Sequence, residues 1–304
     1  MSLIPGVQLV RRADGSVAQL HALGMLKDGG RWLAYGEIKT GGSRFGGICC
    51  YATEDFVHWR DLGCALPVGA PGGMTSPGRI VERPRVLRCP ANGLYVMYLH
   101  VDGEGDYRYA HVGTAVSERP EGPFRPLSTM RFGMNASRDI FAFQDQDGSG
   151  YLVSEDRDQG THIYRLSRDY LSLVEDLVCL RGQDDRFGYE SPILLHRGGW
   201  YYWFGSQLTG WDCNDNMVSV SRDLRGPWSP WKPVAPLGMQ TYQSQCDAIV
   251  PLSEDPAMPC LYIGDRWRPD HLGESPLVTL PILINDGCVR LLWREQWNPE
   301  KGWR

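Results

Sequence analysis

Several features that would point to a function class are missing from this chain. No stretch approaches the roughly 18 apolar residues that cross a bilayer as a helix, and the start, Met1-Ser2-Leu3-Ile4-Pro5, has neither the basic region nor the apolar run of a secretory leader. As it stands the sequence reads as soluble and cytoplasmic, or as secreted or periplasmic where a leader precedes it. There is no basic stripe and no block of like charge; 31 Lys and Arg against 36 Asp and Glu leave a net charge of −5. Nucleic acid and anionic membrane are therefore poor partners. The nine cysteines are odd in number, scattered and without a C-x-x-C pair, which argues against zinc or thioredoxin-like sites and favours free thiols. Long helical stretches are hard to find, and no His/Asp/Glu group has metal-ligand spacing, so the sequence demands no cofactor.

What the chain does contain is a repeat. His21, Glu82, Asp139, Glu190 and Gln245 recur at intervals of 61, 57, 51 and 55 residues, each ahead of a short aromatic or aliphatic strand such as Gly93-Leu94-Tyr95-Val96-Met97-Tyr98 or Gly199-Trp200-Tyr201-Tyr202-Trp203-Phe204. With 36 Gly and 21 Pro for tight turns, and 11 Trp, 14 Tyr and 8 Phe for a core, this is the pattern of propeller blades. The expected fold is all-β, a five-bladed β-propeller filling residues 1–304 as a single domain. The strand Gly287–Trp293 is expected to close the last blade against the N-terminal segment, because ring closure removes exposed sheet edges. Residues at one phase of every blade converge on the axis, where a cation is compatible but not required.

Such a funnel would gather three carboxylates, an amide and an imidazole. Glycoside hydrolysis needs one protonated carboxyl to donate to the leaving oxygen and a second group to activate water or attack the sugar. Glu190 sits beside Tyr189 and ahead of an apolar strand, surroundings that raise a carboxyl pKa toward that of a general acid. Asp139 could orient that acid and keep its proton on. Glu82 lies between Val81 and Arg83, so an ion pair is its plain structural alternative. His21 could touch sugar or metal, or be a hydrogen-bonded core histidine. Asp145-Gln146-Asp147-Gly148-Ser149-Gly150 resembles half a calcium loop but lacks the closing Glu, and reads as a hairpin turn.

Glu82-Arg83-Pro84-Arg85-Val86, Ser137-Arg138-Asp139, Tyr189-Glu190-Ser191-Pro192, Thr209-Gly210-Trp211-Asp212 and Gly264-Asp265-Arg266-Trp267 occur in the order that resembles glycoside hydrolase family 43, and within it the exo-β-1,3-galactanase branch. The resemblance implies a five-bladed propeller acting with inversion on an oligo- or polysaccharide. It also implies Glu190 as acid and Asp139 as the residue that tunes it. The family's usual Asp base belongs on the first blade's inner strand, which here reads Gln19-Leu20-His21-Ala22-Leu23-Gly24-Met25; Asp14 lies upstream and out of phase. The galactanase branch appoints a Gln in the last blade, and Gln245 fits it, with Glu82 as the second candidate. Glu37, Tyr107 and Thr209 match sugar-contacting positions, Tyr109 being an alternative to Tyr107. Trp211 could offer an aromatic face to galactose or serve as core. The usual Gly after the blade-one His is replaced by Ala22-Leu23. Other readings are an arabinofuranosidase or xylosidase of the same family, a carbohydrate-binding pseudoenzyme, or a phosphorylase holding phosphate with Arg266, Arg268 and His271.

Overall fold

Runs of β-branched and aromatic residues, cut every few positions by Gly, Asp and Asn turns, fold locally into successive antiparallel hairpins. The computed structural model describes residues 2–39, 44–183 and 188–300. Their regular structure is almost entirely β, arranged as the five blades of a β-propeller. Blade 1 runs from inside to outside as His21–Asp28, Arg31–Glu37, Ile48–Thr53 and Arg60–Leu66. Blade 2 is Arg79–Arg88, Tyr95–Glu104, His111–Ser117 and Arg125–Met130; blade 3 is Ile140–Gln144, Gly150–Asp156, Gly160–Leu166 and Leu173–Leu180. Blade 4 is Glu190–Arg197, Trp200–Ser206, Met217–Ser221 and Lys232–Pro233. The Asp145–Gly150 segment is the hairpin turn expected of it, joining the first two strands of blade 3.

Blade 5 is closed differently from the expectation. Its strands Gln245–Pro251, Cys260–Asp265 and Leu277–Asn285 are edged by the N-terminal Val7–Gln8, which pairs with Val278 and Leu277. Cys288–Leu291 pairs farther along the same strand, opposite Ile282 to Asn285, and so lies beyond the N-terminal segment rather than against it. The two chain ends do meet elsewhere: Ile4–Pro5 pairs with Gln296–Trp297. Closure thus joins residues nearly a full chain length apart, and no local pattern records it.

Alternation along each strand feeds two interfaces at once. In blade 4, Tyr202 and Phe204 pack with Cys246, Ile249 and Tyr262 of blade 5, whereas Trp203 between them packs with Val153 and Ile163 of blade 3. Blade 1 does the same: Leu33 and Tyr35 face Val86, Met97 and Leu99 of blade 2, and Ala34 faces Ala248 and Leu261 of blade 5. Leu87, Val96 and Tyr98 complete the ring against Ile140 and Leu152. Both faces of the blades are covered, so their middle strands read as unbroken apolar runs, and the polar groups are left to the strand ends around the axis.

Candidate active site

The inner strands share an irregularity at that end. In blades 1, 2 and 4 the register shifts just after His21, Glu82 and Glu190, and the next residue, Ala22, Arg83 or Ser191, takes left-handed backbone at φ 50°, 55° and 48°. Such bulges bend a strand and re-aim its side chains, and they tolerate Pro84 and Pro192, which have no amide to give the ladder. Ala22 stands where glycine would adopt this conformation at no steric cost.

Blade 5 reaches the mouth by a left-handed turn, Gln240, Thr241, Tyr242 and Gln243 having φ of 51°, 49°, 57° and 60°. The Thr241 hydroxyl accepts from the Asn216 amide at 2.7 Å and donates to the Asn214 carbonyl at 3.1 Å. Asp215 caps the turn by accepting from the amides of Gly238 and Gln240 at 2.7 and 2.8 Å. This geometry turns Gln245 inward and leaves Gln243 exposed.

Glu190, Asp139, Gln245, Glu82, Glu37, Tyr107, Trp211 and His21 all line one cleft of about 200 Å³. That is below the roughly 300–1,000 Å³ of drug-sized sites. Thr209 stands apart: it is exposed, donates to the Asp212 carbonyl at 2.6 Å and accepts from Asn214 at 2.8 Å, while its neighbour Gly210 reaches the cleft. Tyr109 stacks on His111 away from the cleft. Asp14 is an exposed turn residue bonded to Ser16. Trp211 is 52% exposed and meets Trp267 edge-on at 5.4 Å, so it forms the rim rather than core. His21 is buried and bonded through Nδ1 to Asp265. Asp265 is thereby taken from the nearby arginines; Arg266 instead donates to the carbonyls of Tyr242 and Gln243.

Arg83 links these groups. Its Nη2 donates to Gln245 Oε1 at 2.5 Å and meets Asp139 Oδ2 at 2.9 Å; its Nη1 reaches Asp247 Oδ1 at 2.9 Å and Ser191 Oγ at 3.2 Å, and its amide donates to Glu37 Oε1 at 2.8 Å. Gln245 Nε2 donates to Glu190 Oε1 at 3.0 Å, and Arg157 Nη2 approaches Glu190 Oε2 at 3.3 Å. Glu82 is held by Lys39 at 3.2 Å and faces His100 at 3.5 Å, and His100 passes to Asp102 at 2.7 Å.

The carboxylates are driven apart in acidity. Burial and then the charges of Asp139 and Glu155 push Glu190 up to about 8. Burial would raise Asp139 too, but Arg83 beside it holds it below the usual range. Burial is likewise overcome at Glu82, which Lys39 and His100 keep well below the ordinary value. Asp139 and Glu82 are thus ionised at neutral pH, and Glu190 keeps its proton. Asp139, Glu155 and Glu190 bring carboxylate oxygens within 4.8 Å of one another, a trio of the kind that can hold a cation. Sequence spacing hides it because it joins blades 3 and 4; Arg83 and Arg157 already face the trio, and the proton on Glu190 lowers its charge further.

Sequence reasoning missed a second ring. The partner of each inner-strand residue on the next strand is itself polar: Glu37 opposite His21, His100 opposite Glu82, Ser206 opposite Glu190 and Asp265 opposite Gln245. Glu155 completes it, its amide bonded to the Asp139 carbonyl at 2.8 Å. Of these only Glu37 was singled out for the site. The available signal was a polar residue following the apolar run of each second strand.

Residues 25–248 match the model for Glycosyl hydrolases family 43. The chain belongs to glycoside hydrolase family 43. Among solved structures, this family 43 chain resembles a candidate exo-β-1,3-galactanase from Bifidobacterium bifidum s17, at 52% identity over 95% of this chain and 96% of that one, with a TM-score of 0.92. The exo-β-1,3-galactanase of Phanerochaete chrysosporium, solved with β-1,3-galactotriose, is 29% identical over 99% of this chain and 70% of its own, with a TM-score of 0.91. That of Clostridium thermocellum is 29% identical over 97% and 66%, with a TM-score of 0.88. The chain has no match among curated protein sequences. Family membership makes the chain a glycosidase by descent, in agreement with the carboxylate funnel.

Proposed function

We propose that the protein is an exo-acting, inverting hydrolase of β-1,3-linked galactan. The observation that carries the chemistry is the placement of the partly exposed Glu190 with its carboxylate oxygens within 4.8 Å of those of Asp139 and Glu155, whose charges, with desolvation, push it up to about 8, while Arg83 at 2.9 Å holds Asp139 ionised. The small cleft supports removal of one terminal sugar at a time, and the galactanase neighbours support galactose. Glu190 donates its proton to the glycosidic oxygen as the bond breaks, and the charge of Asp139, fixed by Arg83, keeps that proton available until then. Trp211 offers an apolar face to the sugar, with Glu37 and His21 as hydrogen-bonding groups beside it.

Water activation falls to Gln245 and Glu82 together. The imidic form of Gln245 would carry a proton on Oε1, where Arg83 already donates at 2.5 Å, so the amide form is favoured and its role is to position water. Its bond to Glu190 must open first, because an inverting pair needs about 6.5–9.5 Å between acid and water-activating group. Glu82 is ionised in the same cleft and takes the proton. Glu82→Gln is expected to reduce kcat on β-1,3-galactobiose by about 10²–10⁴-fold, the usual contribution of a general base. Activity near the wild-type level in Glu82→Gln, with Gln245→Ala inactive, would move the base to Gln245. Turnover of arabinosides or xylosides in preference to galactobiose would change the sugar, and binding without turnover would make the chain a pseudoenzyme.

A further inference from the structure

A second cavity, of about 420 Å³, adjoins the cleft and shares Tyr107, Arg138 and Arg157 with it. Arg157 approaches Glu190 Oε2 at 3.3 Å, so the cavity opens on the side of the proton donor, where the leaving sugar must lie. Four arginines line it. Arg108 is paired with Asp106 at 2.6 Å, Arg131 donates to the Ala110 carbonyl at 2.9 Å, and Arg157 is held by Glu155 and Glu190. Arg138 is different. Its guanidinium lies 4.2 Å above the Tyr107 ring, a contact that takes none of its N–H donors, and the side chain has no hydrogen bond or ion pair with any described residue, only its backbone amide donating to the Glu155 carbonyl at 2.8 Å. Its Nε is buried without a partner. An unpaired guanidinium in a partly enclosed cavity is an unsatisfied anion site, and its fork of donors matches a carboxylate in two-point contact.

The acidic residues nearby do not fill that role: Glu155 and Asp102 act on Arg138 through space but are paired with Arg157 and His100, at 3.0 and 2.7 Å. Asp156 is occupied by the amides of Ala136, Asp158 and Gln159 at 2.8, 2.9 and 3.2 Å. Asp158 is exposed on the cavity wall and stays clear of Arg138 by more than ion-pair distance.

Resting on the galactanase reading, we propose that this cavity receives a uronic acid carried on the leaving side of the galactan, with Arg138 binding its carboxylate. The protein then selects acidic branched galactan over neutral galactan of the same shape. The test compares kcat/KM on two β-1,3-galactobioses whose reducing galactose carries a β-1,6-linked sugar, glucuronic acid in one and glucose in the other. These differ by one carboxylate. The wild type is expected to prefer the glucuronyl substrate by about tenfold or more, the usual scale of a charge-assisted hydrogen bond lost. The preference should fall toward unity in Arg138→Gln, rise in Asp158→Asn, and weaken with added salt. Equal rates on the two substrates in the wild type, or an equal loss on both in Arg138→Gln, would overturn the proposal. A 6-sulfated substrate preferred over the glucuronyl one would overturn the carboxylate assignment. If neither substrate were cleaved the galactanase reading would fail, and calorimetry on Glu190→Gln would decide this site alone. Binding of glucuronyl-β-1,6-galactose that drops about tenfold in the Arg138→Gln double variant supports it; absence of binding refutes it.

Discussion

At the scale of single residues, the site is a set of charges whose acidities are separated by position. Glu190 is kept protonated by burial and then by Asp139, so activity should fall on the alkaline side near pH 8 as Glu190 ionises. Asp139→Asn removes a negative charge that favours the proton, so the alkaline limb should move to lower pH by about one unit, read from kcat/KM against pH. No movement of that limb would detach Asp139 from the tuning role. The same shift is a stability statement. A carboxyl whose folded pKa lies above its unfolded value contributes stability below about pH 4.5 that is lost as pH rises to about 8. Glu190→Gln does not titrate, so it should match the wild type at pH 4 and exceed it at pH 8 by on the order of 2 kcal/mol in denaturant unfolding. The carboxylates and Gln245 were legible from their common phase. Arg83 was visible only as a neighbour of Glu82, because nothing in a linear motif says that a left-handed backbone at φ 55° will turn that side chain to the axis.

At the scale of elements, bulges and one turn do the positioning. The four left-handed residues Gln240 to Gln243 each sit in a conformation that costs roughly 1–2 kcal/mol outside glycine, and they persist because Thr241, Asp215 and Ser244 tie them down. Thr241→Ala leaves the buried Asn216 amide without its acceptor and takes the shorter of two donors from the Asn214 carbonyl, and should destabilise the protein by about 1–3 kcal/mol. Because the turn delivers Gln245, kcat should fall as well, beyond what the lost folded fraction explains, at a temperature where the variant remains folded. Full kcat at that temperature would mean that Gln245 is placed by its strand alone. Gln245, singled out in the sequence, lines the cleft, but the turn that delivers it could not be foreseen, since Gln-Thr-Tyr-Gln carries none of the glycine that normally marks left-handed backbone.

At the scale of the molecule, five blades were legible because the alternation that covers both faces of a blade repeats in the sequence. That the N-terminal segment helps to close the last blade was also legible, but its partner was not, because Val7–Gln8 completes a sheet with Leu277–Asn285, a pairing that only the folded ring creates. The second polar ring escaped for a related reason: each member is defined by its partner across the strand. Together the two rings place a protonated acid, an ionised partner and a bound amide at one end of the axis, where a sugar chain would enter. The direct test is to incubate the protein with β-1,3-galactotriose and follow the products by proton NMR from the first turnovers. Single galactose units appearing first as the α anomer, with galactobiose as co-product and no release by Glu190→Gln, is the expected result. Galactose appearing first as the β anomer, or cleavage undiminished in Glu190→Gln, would contradict the single-displacement chemistry assigned to this cleft.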